Sequence, residues 1–185
     1  MHKVAIVIFD KFEEIEAITP ADLLRRAGVE VSMLTLFSIL STKGRSGISV
    51  YADAFLSDHL KDSFDAIVLS GGPGTFDAAK SADLLKFVKR HNAENKLIAA
   101  ICAAPIILEK TGSLADKEFT CHTSVISQFA HHPADRDVVS SENIITAKGA
   151  GTAVAFALEI VRTLKGESVE KEIAASICYT HPTHA

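Results

Sequence analysis

Residues 96–108 read Lys96-Leu97-Ile98-Ala99-Ala100-Ile101-Cys102-Ala103-Ala104-Pro105-Ile106-Ile107-Leu108. An apolar run of buried-strand length ends abruptly at a cysteine, and a short helix closed by Gly112 follows. Pro105 is tolerated in the first helical turn, where no intrahelical donor is lost. A strand that turns straight into a helix leaves its turn residue on the open edge of a sheet. The partial positive charge of the helix start then favours a thiolate, so the stretch predicts an activated cysteine nucleophile at Cys102. The plainer alternative is a small apolar residue closing a buried strand.

Outward from this stretch, strands and helices alternate. Val4–Phe9, Glu30–Phe37 and Asp65–Ser70 read as strands, the first and last continuously apolar as in a sheet buried on both faces. A polar connection over 10–15 leads to a helix that starts at Thr19, or near Glu13 with a kink at Pro20, and ends at Gly28. Between Thr42 and Ala52 the turn signal Lys43-Gly44-Arg45-Ser46-Gly47 predicts a small hairpin. A helix from about Ser81 to Asn92 precedes the cysteine strand. Beyond Gly112 the pattern predicts a short strand over Glu118–His122, a short helix over Val125–Ala130, and strands flanking the turn at Glu142-Asn143. A long helix after Thr152 ends at Gly166, and a last one over Ser168–Ser176 precedes a polar tail. The order predicts an α/β fold, a mostly parallel sheet with helices on both faces and one small β-hairpin. Ligands of such sheets sit beyond the carboxyl ends of the strands, where Glu16, Gly71-Gly72 and Cys102 all fall.

The 185 residues contain no Pro/Gly-rich linker, which predicts one domain over 1–185. A net charge of −4 provides no electrostatic footprint for nucleic acid. The apolar runs are too short to span a bilayer, and the start lacks the length of a signal sequence. Three cysteines without close spacing argue against a disulfide framework and fit a reducing, cytoplasmic compartment. No metal is expected, because Cys121-His122 and His131-His132 lack ligand spacing.

Gly71-Gly72 at a strand end offers unobstructed amides suited to an oxyanion, or merely a tight turn. Its spacing excludes a dinucleotide fingerprint. Glu13, Glu14 and Glu16 form an acidic cluster that, taken alone, complements a helix dipole. His122 reads equally well as an exposed loop residue.

Several motifs in order make the sequence resemble the DJ-1/PfpI family, and its DJ-1/YajL branch rather than the PfpI peptidase branch. They are Glu13-Glu14-Ile15-Glu16, Arg25-Arg26-Ala27-Gly28, Val68-Leu69-Ser70-Gly71-Gly72, Ala99-Ala100-Ile101-Cys102-Ala103 and Lys148-Gly149-Ala150-Gly151-Thr152. Ala103 stands where PfpI-type members carry a histidine. The resemblance implies a flavodoxin-like sandwich, a homodimer and no cofactor. It places the reactive cysteine at Cys102, a protonated glutamate at Glu16 and the active-site histidine at His122, with Gly71, Gly72 and Ala103 supplying backbone amides. Around His122 the relatives' Thr-His-Pro is Cys-His-Thr here, and Ser46 replaces an arginine that contacts the dimer partner, with Arg45 adjacent. The implied activity is that of a glutathione-independent glyoxalase or deglycase acting on dicarbonyls such as methylglyoxal. The alternative is a redox-sensing, protective protein whose signal is oxidation of Cys102.

Overall fold

β1 (Lys3–Ile8) is the axis of the sheet, buried from Val4 onward and hydrogen-bonded in parallel to a strand on each side. Val4 lies opposite Val31 of β2 (Glu30–Thr35) and Ala66 of β6 (Ala66–Leu69). The computed structural model describes residues 1–180; residues 181–185 of the tail lie outside the described residues. Seven strands form the main sheet in the order β5-β2-β1-β6-β7-β9-β8, with β5 at Ala54–Phe55, β7 at Leu97–Ile101, β8 at Val138–Ser141 and β9 at Ile144–Ala147. Every neighbouring pair is parallel except the β8–β9 hairpin. β3 (Ser41–Lys43) and β4 (Ser49–Tyr51) form a separate antiparallel hairpin, as the turn signal predicts.

Helices cover the sheet in two groups. α1 (Glu14–Arg26) packs on α5 (Ala153–Lys165), which also packs on α6 (Glu167–Ser176). α2 (Thr75–Ala78), α3 (Ala82–Ala93) and α4 (Pro105–Thr111) form the other group. The local signals work as expected at the start of α3 and the end of α4. The Ser81 hydroxyl accepts from Leu84 N–H, and Gly112 closes α4 in the left-handed region at φ 71°. The architecture is the flavodoxin-like α/β sandwich.

Of the two starts expected for α1 the one near Glu13 holds: the helix begins at Glu14 and runs through Pro20, which has no N–H to offer the carbonyl of Glu16. Three other expectations are corrected. The connection before α1 is not simply polar, because Phe12 is fully buried. Residues 118–122 form no strand: Thr120 N–H donates to the Thr146 hydroxyl (2.9 Å), Phe119 C=O accepts from Ala134 N–H (2.7 Å), and His122 N–H goes to Cys102 C=O (2.8 Å). A side chain and two loop segments take the backbone groups that a ladder would need. The predicted helix over Val125–Ala130 is a 3₁₀ stretch at Thr123–Gln128.

Candidate active site

Cys102 follows the last residue of β7 and holds φ at 65°, a left-handed conformation that costs a non-glycine residue about 1–3 kcal/mol. Its neighbours secure that conformation from both sides. Cys102 N–H donates to Ala147 C=O (2.9 Å), while its own carbonyl accepts from His122 N–H. The turn thus pushes the side chain onto the rim, where it is partly exposed.

Glu16 approaches from the first turn of α1 and is fully buried. Its Oε2 accepts from Gly71 N–H at 2.8 Å. Gly71 must lack a side chain, since a Cβ there would lie 2.7 Å from both Cys102 Cβ and Glu16 Oε2. Gly72 (φ 105°) is equally constrained, with Lys11 C=O 2.5 Å from where its Cβ would be. The Gly71 amide is therefore already committed to Glu16, which corrects its expected place among oxyanion donors. The amides of Gly72 and Ala103 are aimed at the Cys102 sulfur.

The Glu16 carboxyl and the Cys102 thiol are hydrogen-bonded side chain to side chain. Burial pushes Glu16 up to about 7, against the lowering effects of Cys102 and the Gly71 amide. Cys102 is pushed up to about 12, first by burial and then by the Glu16 charge, with the Gly72 and Ala103 amides opposing. The expected depression of Cys102 by the start of α4 is thus outweighed. That helix begins at Pro105, and desolvation of a buried anion is the larger effect. Two anions cannot coexist here, so the groups titrate as a pair sharing a proton. Glu16 Oε1 is buried without a hydrogen-bond partner among the described residues, as is Glu14 Oε2. With the proton on Glu16, the charge repulsion on Cys102 disappears and its amide donors remain.

A third side chain borders the same opening. A Cβ on Gly149 would lie 3.4 Å from His122 Cδ2, 3.9 Å from Glu16 Oε1 and 4.0 Å from Cys102 Sγ. Gly149 keeps open the spot on which the three side chains converge. Thr152 fixes that turn, its hydroxyl donating to Gly149 C=O (2.8 Å) and accepting from Gly149 N–H (3.3 Å). In sequence Gly149 is only part of a motif that opens a helix.

The other two acids of the cluster point elsewhere. Glu14 Oε1 accepts from Ser46 N–H (2.8 Å) and Ile48 N–H (3.4 Å), and its side chain crosses Gly44. Glu13 pairs with Arg45 at 3.2 Å. Both hold the β3–β4 hairpin rather than merely facing a helix dipole, which is a further correction. Cys121 is buried and pushed up to about 11 by burial alone. Among the described residues no group of three or more His, Cys, Asp or Glu side chains is placed to hold a metal ion, and no helix is long and apolar enough to cross a membrane.

A parallel α/β sheet bearing a cysteine and a buried carboxyl on its carboxyl rim defines the class of this protein. The chain belongs to the DJ-1/PfpI family, whose model matches residues 2–163. It is 36% identical to Protein dj-1beta of Drosophila melanogaster over 182 residues, covering 96% of this chain and 97% of that one. It is also 36% identical to the glutathione-independent glyoxalase DJR-1.2 of Caenorhabditis elegans over 172 residues, 90% of each. The structure of oxidized DJ-1 from Toxoplasma gondii superposes with a TM-score of 0.94 at 33% identity, covering 98% of this chain and 100% of that one.

Proposed function

We propose that this protein is a cofactor-independent enzyme acting on small reactive dicarbonyls, with Cys102 as nucleophile and Glu16 and His122 as proton carriers. The observation that carries the reading is the Glu16–Cys102 pair, in which a buried acid and a sulfur share a proton beside an opening kept clear by Gly149. A relative at 36% identity is named for glutathione-independent glyoxalase activity.

With methylglyoxal, the Cys102 sulfur attacks the aldehyde carbon and Glu16 gives its proton to the resulting alkoxide, forming a hemithioacetal. The Gly72 and Ala103 amides, beside the sulfur, face the charge as it develops. Glu16, now a carboxylate, takes the proton from the former aldehyde carbon. The hydroxyl proton on that carbon passes to the neighbouring carbonyl oxygen, where His122 assists, and return of the carbon-bound proton to that carbonyl's carbon leaves a lactoyl thioester. Water then hydrolyses the thioester to lactate and free Cys102. The sum is methylglyoxal plus water to lactate, with no net oxidation. A deglycase reaction on glycated amines would use the same groups. Lactate formation without glutathione by wild type, and none by Cys102→Ser, is the expected result. No lactate from the wild type overturns the reading.

A second reading, redox signalling through Cys102, is favoured by one observation: the same protonated Glu16 that serves a thiolate would donate to a sulfinate. Under limiting peroxide, mass spectrometry is expected to find sulfinate at Cys102 before Cys121, which is buried. The protein is further proposed to act in a reducing, cytoplasmic compartment as a homodimer. Exposed Ile15 and Ile18 of α1, with Ile48 and Tyr51 of the hairpin, would meet a second copy. A monomeric mass by light scattering at micromolar concentration defeats the dimer.

A further inference from the structure

His122 is held by a residue two positions further along the chain, Ser124. It caps the 3₁₀ stretch at Thr123–Gln128, and its ring nitrogen Nδ1 accepts from Ser124 N–H at 3.2 Å. The Ser124 hydroxyl lies 2.8 Å from the same nitrogen. A backbone amide nitrogen can only donate, so Nδ1 must present its lone pair, and the hydroxyl turns its hydrogen toward that lone pair as well. We infer that Ser124 is the positioning residue of His122, locking the neutral imidazole as the Nε2–H tautomer. This rests on the proposed reaction only for its consequence.

The consequence concerns direction of proton flow. The ring edge bearing Cδ2 borders the spot shared with Cys102 and Glu16, and Nε2 is the nitrogen bonded to Cδ2. With Nε2 protonated, neutral His122 is a hydrogen-bond donor to a substrate oxygen and has no lone pair to act as base there. The carbon-bound proton is then left to Glu16. His122 N–H also bonds Cys102 C=O, so the capped turn and the nucleophile's turn move as one unit. Ser124 is exposed, which allows substitution without disturbing the core.

Tautomers are read directly by nitrogen-15 NMR of the imidazole in the whole protein, above the pH at which the ring is neutral. Wild type is expected to show Nε2–H alone; Ser124→Ala, which keeps the 3.2 Å amide contact but loses the 2.8 Å hydroxyl, a weakened preference with some Nδ1–H; and Ser124→Thr a return to Nε2–H alone. In parallel, Ser124→Ala is expected to lower kcat about tenfold with KM little changed, the scale of one hydrogen bond, and Ser124→Thr to restore it. An Nδ1–H ring in wild type, or any pattern in which Ser124→Ala leaves the tautomer unchanged or Ser124→Thr fails to restore it, overturns the inference. If wild type turns over no dicarbonyl, the proposed function fails while the NMR arm still decides the role of Ser124.

Discussion

Glu14 and Glu16 sit two residues apart in the first turn of one helix, both buried, and they do different things. Glu14 reaches out to the hairpin and accepts from two backbone amides, Ser46 and Ile48. Glu16 reaches in, accepts from one amide at Gly71, and lies beside the Cys102 thiol. A carboxylate given two amide donors is a structural fastener. One left short of donors in a desolvated site is driven toward holding a proton. Residue type and burial are shared, so the count and kind of partners separate a scaffold acid from a reactive one.

The largest effect that sharpens this contrast is at the sulfur. Cys102→Ser is expected to reduce dicarbonyl turnover to background while leaving the thermal melt close to wild type, checked by lactate assay and calorimetry. Next comes Glu16→Gln, which keeps the shape and a donor but cannot exchange a proton. Turnover is expected to fall about a hundredfold or more. The same variant has a pH signature. Glu16 is raised in the fold from 4.5 to about 7, so folding takes up a proton and the wild type loses stability as pH rises through that window. Glutamine does not, so the stability of Glu16→Gln relative to wild type should climb between about pH 4.5 and 7, by up to about 3 kcal/mol. A flat difference across that range means the carboxyl is not strained by burial.

Glu14→Ala is expected to behave the opposite way. It strands two hairpin amides and should cost about 1–3 kcal/mol, seen as a lowered melting temperature, with turnover changed less than about threefold. A hundredfold loss of turnover in Glu14→Ala would erase the contrast, because the hairpin would then belong to the chemistry.

The rim of the sheet was legible because periodicity and turn chemistry are local. The run 97–101, the cysteine after it and the Pro105 to Gly112 helix all appear where the pattern puts them. The hairpin at 41–51 was legible for the same reason. What the sequence did not disclose depends on partners far along the chain. Glu14 meets amides 32 and 34 residues away, and nothing near it distinguishes it from Glu16. Residues 118–122 carry strand-like composition, but Thr146 and Cys102 claim their amides. Gly71 read as an oxyanion donor because a bare amide at a strand end has no visible owner until Glu16 arrives from 55 residues earlier. The direction of the Cys102 shift was missed because a helix start is visible in sequence, whereas desolvation is not.

The smallest expected effect tests whether the scaffold acids reach the reactive pair at all. Glu13 pairs with Arg45 at the hairpin, and each acts on Glu16 through space, Glu13 raising it and Arg45 lowering it. A nearby cation steadies an anion on the Glu16–Cys102 pair wherever the charge resides, and a nearby anion opposes it. The sign therefore does not depend on which group holds the proton. Arg45→Ala should raise the apparent pKa of the pair and Glu13→Gln should lower it, read as the pH dependence of Cys102 alkylation by iodoacetamide. Glu13 ranks ahead of Arg45 in its influence on Glu16, so its removal should produce the larger shift. Arg45 is half exposed, so solvent screens its influence and the shifts should be about half a unit or less. Raising the salt concentration should shrink both. Shifts in the same direction, or shifts indifferent to salt, would mean that the hairpin acts on the pair by moving it rather than through its field.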